Sequence, residues 1–195
     1  MTFKKVGKLN QNTIMSTDRK SIVLLFFLIL LTVATPSIAK IFYSKNEAMI
    51  LAFGDKAQVE TLSLFPDDPQ IEKIQQMSKV KLESGMFSFY VGKDNGKILG
   101  YAAIESTTVR TKPETLMIVL TPEGELKSVT TLAFHEPPEY QPPESWFNQL
   151  LKKPLAEIDF GKGIQGISGA TLSTRANINS VRKVLAVYQV MLKPK

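Results

Sequence analysis

Nine residues near the C-terminus, Gly166-Ile167-Ser168-Gly169-Ala170-Thr171-Leu172-Ser173-Thr174, bring four hydroxyl groups and two glycines into one short run. Small residues let a backbone turn tightly and approach a ligand closely, and hydroxyls can bind a phosphate or be esterified by one. An amphipathic segment follows at once. Its apolar residues Ile178, Val181, Leu185, Tyr188 and Leu192 are spaced by three and four and predict a helix from about Thr174 to Leu192. The start of a helix offers backbone N–H groups without intrahelical acceptors and the positive end of the helix dipole, so an anionic group over Thr171 to Ala176 would be held there. Arg175 and Arg182 add positive charge nearby. The run has neither the Gly-Lys-Ser or Gly-Lys-Thr ending of a P-loop nor the Gly-x-Gly-x-x-Gly spacing of a dinucleotide site. The same residues also suit an ordinary turn in which Ser173 or Thr174 caps the helix, and residue types alone leave both readings open.

Ser168-Gly169-Ala170-Thr171-Leu172-Ser173-Thr174 resembles the Ser/Thr-Gly-Ala-Thr-x-Thr/Ser signature of the FMN-binding domain family. That family includes the C subunit of the sodium-translocating NADH:quinone reductase, the G subunit of the Rnf electron-transport complex and many exported flavoproteins. In it, a flavin transferase uses FAD to join FMN through its phosphate to the last Thr of Ser-Gly-Ala-Thr. The resemblance implies that Thr171 carries this phosphoester, that Ser168, Gly169 and Ala170 form the turn read by the transferase, and that Leu172, Ser173 and Thr174 line the phosphate end of the flavin. Where the transferase motif usually has an Asp a few residues earlier, this chain has Gln165, and the nearest acid is Asp159. A His-x-Glu-Thr-Pro-Gly segment lies near the flavin in the two subunits. His135, Glu136 and Pro137 resemble it loosely, without its second part, which makes His135 and Glu136 further cofactor-side candidates.

The implied function is electron carriage on FMN, with Thr171 as an attachment point and no catalytic residue of the protein's own. A flavin transferase for maturation and membrane or extracytoplasmic redox proteins are the implied partners. Two other readings are compatible with the sequence: a flavin-dependent extracytoplasmic reductase using a proton donor such as His135, and a sensory or scaffolding domain that has lost the flavin.

Composition narrows the setting. The chain has 195 residues, enough for one domain with a sizeable core, and 44% of them are hydrophobic. Its net charge of +6 is concentrated at the start, where Lys4, Lys5, Lys8, Arg19 and Lys20 face Asp18 alone. No basic stripe with interleaved aromatics points to nucleic acid. Residues 21–35 are an uncharged, nearly continuous apolar run, followed by Pro36-Ser37-Ile38-Ala39 with small residues suited to cleavage before Lys40. This is the order of a secretory signal, and residues 21–39 also approach the length of an uncleaved membrane anchor. Either way residues 40–195 form an FMN-binding domain outside the cytoplasm, periplasmic and either secreted or anchored, because flanking cations stay inside. There is no cysteine and a single histidine, which excludes disulfides, thiolate-held clusters and a His-cluster metal site.

The elements that must position the site are those of an α+β fold, a mostly antiparallel twisted sheet packed by helices behind an N-terminal export or anchor segment. Ser44-Lys45-Asn46-Glu47 is a capping box that opens a short helix ending near Gly54. Residues 58–65 read as extended, and Asp68-Pro69 as an acidic cap followed by Pro at the first helical position. Residues 86–91 and 97–104 flank the Asn95-Gly96 turn, and residues 116–121 and 126–134 flank Pro122-Glu123-Gly124-Glu125, giving two hairpins joined by a polar surface link at 110–114. The prolines at 137, 138, 142 and 143 end the last strand in a rigid loop. Residues 144–152 then read as a short helix presenting Trp146, Phe147, Leu150 and Leu151.

Overall fold

The computed structural model describes residues 40–194, so the expected export or anchor segment lies outside the described residues. One six-stranded antiparallel sheet organises the rest. Its strands are β1 (Lys40–Ile41), β2 (Gln58–Leu64), β3 (Phe87–Asp94), β4 (Lys97–Thr108), β5 (Pro113–Leu120) and β6 (Leu126–Phe134). In space they run β1-β6-β5-β4-β3-β2. The meander of β3 to β6 follows from its tight turns: Asn95 and Gly96 both take positive φ between β3 and β4. Gly124, at φ +86, turns β5 into β6 and leaves room for the Tyr188 ring, against which any Cβ there would collide.

Three helices cover the sheet. Helix α1 (Lys45–Phe53) has the expected capping box between Ser44 and Glu47, with Gly54 at its end. It carries the chain from one sheet edge to the other and buries Ala48, Met49 and Ala52 against Ala102, Met117, Val119 and Leu132. Helix α2 (Asp68–Ser78) is capped by Asp67, one residue before the expected Asp68, because Gln70 supplies the reciprocal bond to that position. Helix α3 (Thr171–Met191) lies with α2 on the opposite face, in a larger core containing Ile74, Phe89, Leu116, Ile118, Phe147, Leu150, Ile178, Val181 and Leu185.

Other expectations shift for identifiable reasons. The segment after the proline loop is a 3-10 turn, Glu144–Gln149, which buries Trp146 and Phe147. The link between the hairpins is shorter than its polarity suggested. Strand β5 begins at Pro113, and Glu114 is fully buried. Arg182, expected to add charge beside a bound anion, is instead buried at 3% exposure. Its guanidinium donates to the carbonyls of Ser78 (2.6 Å), Met77 (3.0 Å), Ile158 (2.7 Å) and Leu155 (3.2 Å). Two of those carbonyls end α2, where the helix dipole is negative, so the cation both caps α2 and ties it to α3. Replacing Arg182 with Met should remove these bonds while keeping the apolar stem. With each charge-assisted bond contributing about 1.5–3 kcal/mol, urea unfolding should show a loss of several kcal/mol.

Candidate functional site

A turn, a helix start and a side groove form the site. Ile167 accepts the Ala170 N–H (3.0 Å), with Gly169 at φ +85, a conformation that favours glycine, and with open space where its Cβ would lie. This turn starts α3 at Thr171, three residues earlier than the apolar spacing indicated. Ala170 occupies the N-cap position, in place of the expected Ser173 or Thr174, and no side chain caps this end. The first turn contains no acidic residue among the described residues. The leading N–H groups and the positive dipole end therefore face outward beside an exposed Thr171.

Successive helical residues point about 100° apart, and that geometry divides the hydroxyls of the motif. Thr171 is exposed and donates to Ile167 O across 3.3 Å, a long bond easily exchanged. Ser173 and Thr174 point inward. Ser173 Oγ donates to Tyr140 O at 2.6 Å, fastening the proline-rich loop to the helix start. Thr174 Oγ1 donates to Ala170 O (3.2 Å) and Thr171 O (3.1 Å). Leu172 is half exposed, and Ser168 and Gly169 lie at the surface of the turn. The structure thus brings Ser168 to Thr174 together, with Thr171 outward and the hydroxyls of Ser173 and Thr174 engaged by the protein.

A groove of about 230 Å³ runs beside this helix start, lined by Leu172, Arg175, Asn179 and Lys183 of α3 together with Val80 and Thr107 to Val109. Arg175 is one helical turn from Thr171, so the two side chains are neighbours on the surface. Its guanidinium lies 5.5 Å from the centre of the Phe160 ring. Deeper along the groove Lys183 pairs with Glu105, whose carboxyl is raised by burial and lowered in turn by that lysine.

His135 and Glu136 lie at the end of β6. His135 donates its backbone N–H to Pro113 O at 3.1 Å. Glu136 braces the 110–112 loop: one carboxylate oxygen accepts the backbone N–H groups of Thr111 (2.6 Å), Lys112 (2.8 Å) and Arg110 (3.1 Å). Arg110 in turn stacks over Tyr140, at 4.5 Å, whose carbonyl holds Ser173. Glu136 therefore reaches the helix start through the loops that support it. Hydrogen bonds from the backbone, Thr111 first, hold its carboxyl below the ordinary value of 4.5. Its stabilisation is full above pH 4.5 and disappears as pH falls through the lowered value. Glu136→Gln should be less stable than the wild type at neutral pH, by about 1–3 kcal/mol, and the gap should close on acidification in urea unfolding series.

Sequence reasoning missed a second carboxylate. Glu114, buried beneath the helix start, meets the Asn177 amide, whose nitrogen donates to Glu114 Oε2 (2.7 Å) and Ser173 O (3.0 Å). Burial raises its pKa from 4.5 to about 8, partly offset by Asn177 and reinforced by Glu144. The pairing places an acid at the second residue of β5 opposite an Asn one turn beyond Ser173, a juxtaposition without local signature. The folded protein keeps a proton here that the unfolded chain releases, so this group's stabilisation is full below pH 4.5 and is lost as pH rises to about 8. Glu114→Gln should match the wild type near pH 4 and exceed it at pH 8, by on the order of 1 kcal/mol per pH unit in between.

Residues 111–186, from β5 through most of α3, match the family model of the FMN-binding domain. The segment contains the Ser168–Thr174 turn and helix start. The chain is also similar to the G subunit of the Na(+)-translocating ferredoxin:NAD(+) oxidoreductase complex of Acetobacterium woodii, at 25% identity over 135 residues. That alignment covers 63% of this chain and 65% of the relative, so the chain spans a little under two thirds of the length of the protein it matches. No solved structure matches. The residues present fit the group the family name implies: an uncapped helix start without acids suits a phosphate, and the adjoining groove offers an apolar wall and cations.

Proposed function

We propose that residues 40–195 form an extracytoplasmic electron carrier that holds FMN by a phosphoester at Thr171. The observation that carries this reading is the placement of the exposed Thr171 hydroxyl at an uncapped helix start where the other helical hydroxyls of the motif, Ser173 and Thr174, are buried and engaged. A transferase approaching from solvent meets a single available nucleophile in the helical part of the motif. Thr171 Oγ1 would attack the flavin-side phosphorus of FAD, forming the ester as the bond to AMP breaks, and would give its proton to a base of the transferase.

Once joined, FMN supplies reversible electron uptake and release at its ring. The chain's residues hold and bias it. The α3 dipole and Arg175 balance the phosphate charge, while Leu172, Val80 and Val109 give the groove an apolar wall beside it. Gln165 stands where the transferase motif usually has an acid. Its carbonyl accepts the Trp146 indole N–H at 2.7 Å and its N–H donates to Gln149 Oε1 at 2.9 Å. The backbone before the turn is thereby fixed, and the Gln165 side chain faces solvent. The resemblance to one component of a multi-component redox complex supports further redox proteins as electron donor and acceptor.

The deciding experiment is intact mass and visible absorption of the full chain, expressed with and without a flavin transferase, beside Thr171→Ala. A transferase-dependent gain equal to FMN less one water, lost in Thr171→Ala, is the expected result. A yellow protein of unchanged mass would replace covalent attachment with reversible binding, and a colourless protein under every condition would overturn the flavin reading. Arg175→Ala should slow attachment several-fold while leaving the unfolding midpoint nearly unchanged, because the side chain is exposed.

A further inference from the structure

The outward face of α1 is unlike that of an ordinary surface helix. Its inward side buries Ala48, Met49 and Ala52, yet Ile50 and Leu51, on the other side, are each 53% exposed. Glu47 shares that side, but its carboxylate is turned back to the Ser44 N–H at 2.7 Å in the capping box. A helix apolar on both sides ordinarily has a second apolar neighbour. More exposed apolar surface comes from β1. Ile41, 72% exposed, pairs with Ala133, while the adjacent pair places Lys40 opposite Phe134, which belongs to the core on the α3 side. Side chains alternate along a strand, so Ile41 lies on the α1 face of the sheet. Tyr43, 39% exposed, follows it into the helix.

We propose that this face, formed by Ile41, Tyr43, Ile50 and Leu51, docks into the interfacial layer of the membrane in which residues 21–39 are retained as an anchor. The inference rests on the extracytoplasmic part of the proposed function and is independent of the flavin. The covalent chain argues for this occupant: the uncharged apolar run ends at residue 35, and only residues 36–44 connect it to α1. Such a tether raises the effective concentration of lipid at α1 into the range where a few apolar side chains suffice. Tyr43 is the amphipathic type favoured at the interface. Docking orients the domain, so that the Thr171 groove on the opposite helical layer faces away from the bilayer toward soluble or extramembrane partners.

The absence of cysteine makes the test direct. The full chain, carrying Leu51→Cys or Ile50→Cys labelled with an environment-sensitive fluorophore, is reconstituted into vesicles of phosphatidylcholine and phosphatidylglycerol containing nitroxide lipids. Asn95→Cys, in the β3–β4 turn, is the reference. Docking predicts a blue-shifted Leu51 probe quenched about threefold more than the Asn95 probe, and loss of that difference when Ile41 and Ile50 are both changed to Asp. Equal quenching at both positions overturns the proposal. Self-quenching between labelled copies without lipid quenching also overturns it and makes the face a contact between two chains. An intact mass showing cleavage after Ala39 in the natural host overturns it as well. Absorption of the same samples reports flavin separately, so failure of the cofactor reading leaves the docking result standing, and the reverse.

Discussion

Helix α3 is fixed at almost every turn by a polar side chain that has left solvent, and the rest of the domain depends on that series. Ser173 bonds the proline-rich loop, Asn177 the start of β5, Arg182 the end of α2 and the 3-10 turn at Leu155–Glu157, and Tyr188 the β5–β6 turn through Pro122 O at 2.9 Å. Each bond satisfies a buried group, so the helix can neither slide nor rotate without leaving several donors or acceptors orphaned. Apolar packing alone would tolerate a small shift. The polar series sets one register, and register determines which hydroxyl meets solvent.

That register divides the hydroxyls of the motif. Thr171, Ser173 and Thr174 are chemically similar nucleophiles, and a free peptide with this motif would present all of them. In the folded domain two are buried against carbonyls, while Thr171 is exposed and makes one long bond to Ile167 O. Glu136 contributes at a distance, because it orders the 110–112 loop, which carries Arg110 to Tyr140 and so supports the segment that holds Ser173. The sensitivity of this brace to acid and of Glu114 to base have opposite signs, which places the optimum of stability for the pair between the two titrations.

The two faces of the sheet are built to different standards. The α3 side is deep, with two helices and the 3-10 turns Glu144–Gln149 and Leu155–Glu157 closing over large apolar side chains. The other side has a single nine-residue helix and a smaller cluster rich in alanine and methionine. A short helix of that kind buries little area and leaves apolar residues outside it, and among the described residues no helix is long and apolar enough to cross a membrane.

The sequence by itself determined the elements whose causes are local. Asn-Gly and Pro-Glu-Gly turns specified the meander, the Ser44–Glu47 capping box and the Asp68-Pro69 pair specified the starts of α1 and α2 to within a residue, and the Ser168–Thr174 run lies in the stretch that matches the FMN-binding domain model. Only the tertiary structure decided the beginning of α3, because Gly169 and Ala170 form a turn whose outcome depends on what Ser173 meets one turn later. It alone moved Arg182 from the expected anion site to the end of α2, and it joined Glu114 to Asn177, residues 63 positions apart. Charged side chains carry no periodic signal of burial. Their partners here are backbone carbonyls and amides brought in from distant segments, and those positions exist only once the sheet and helices have packed.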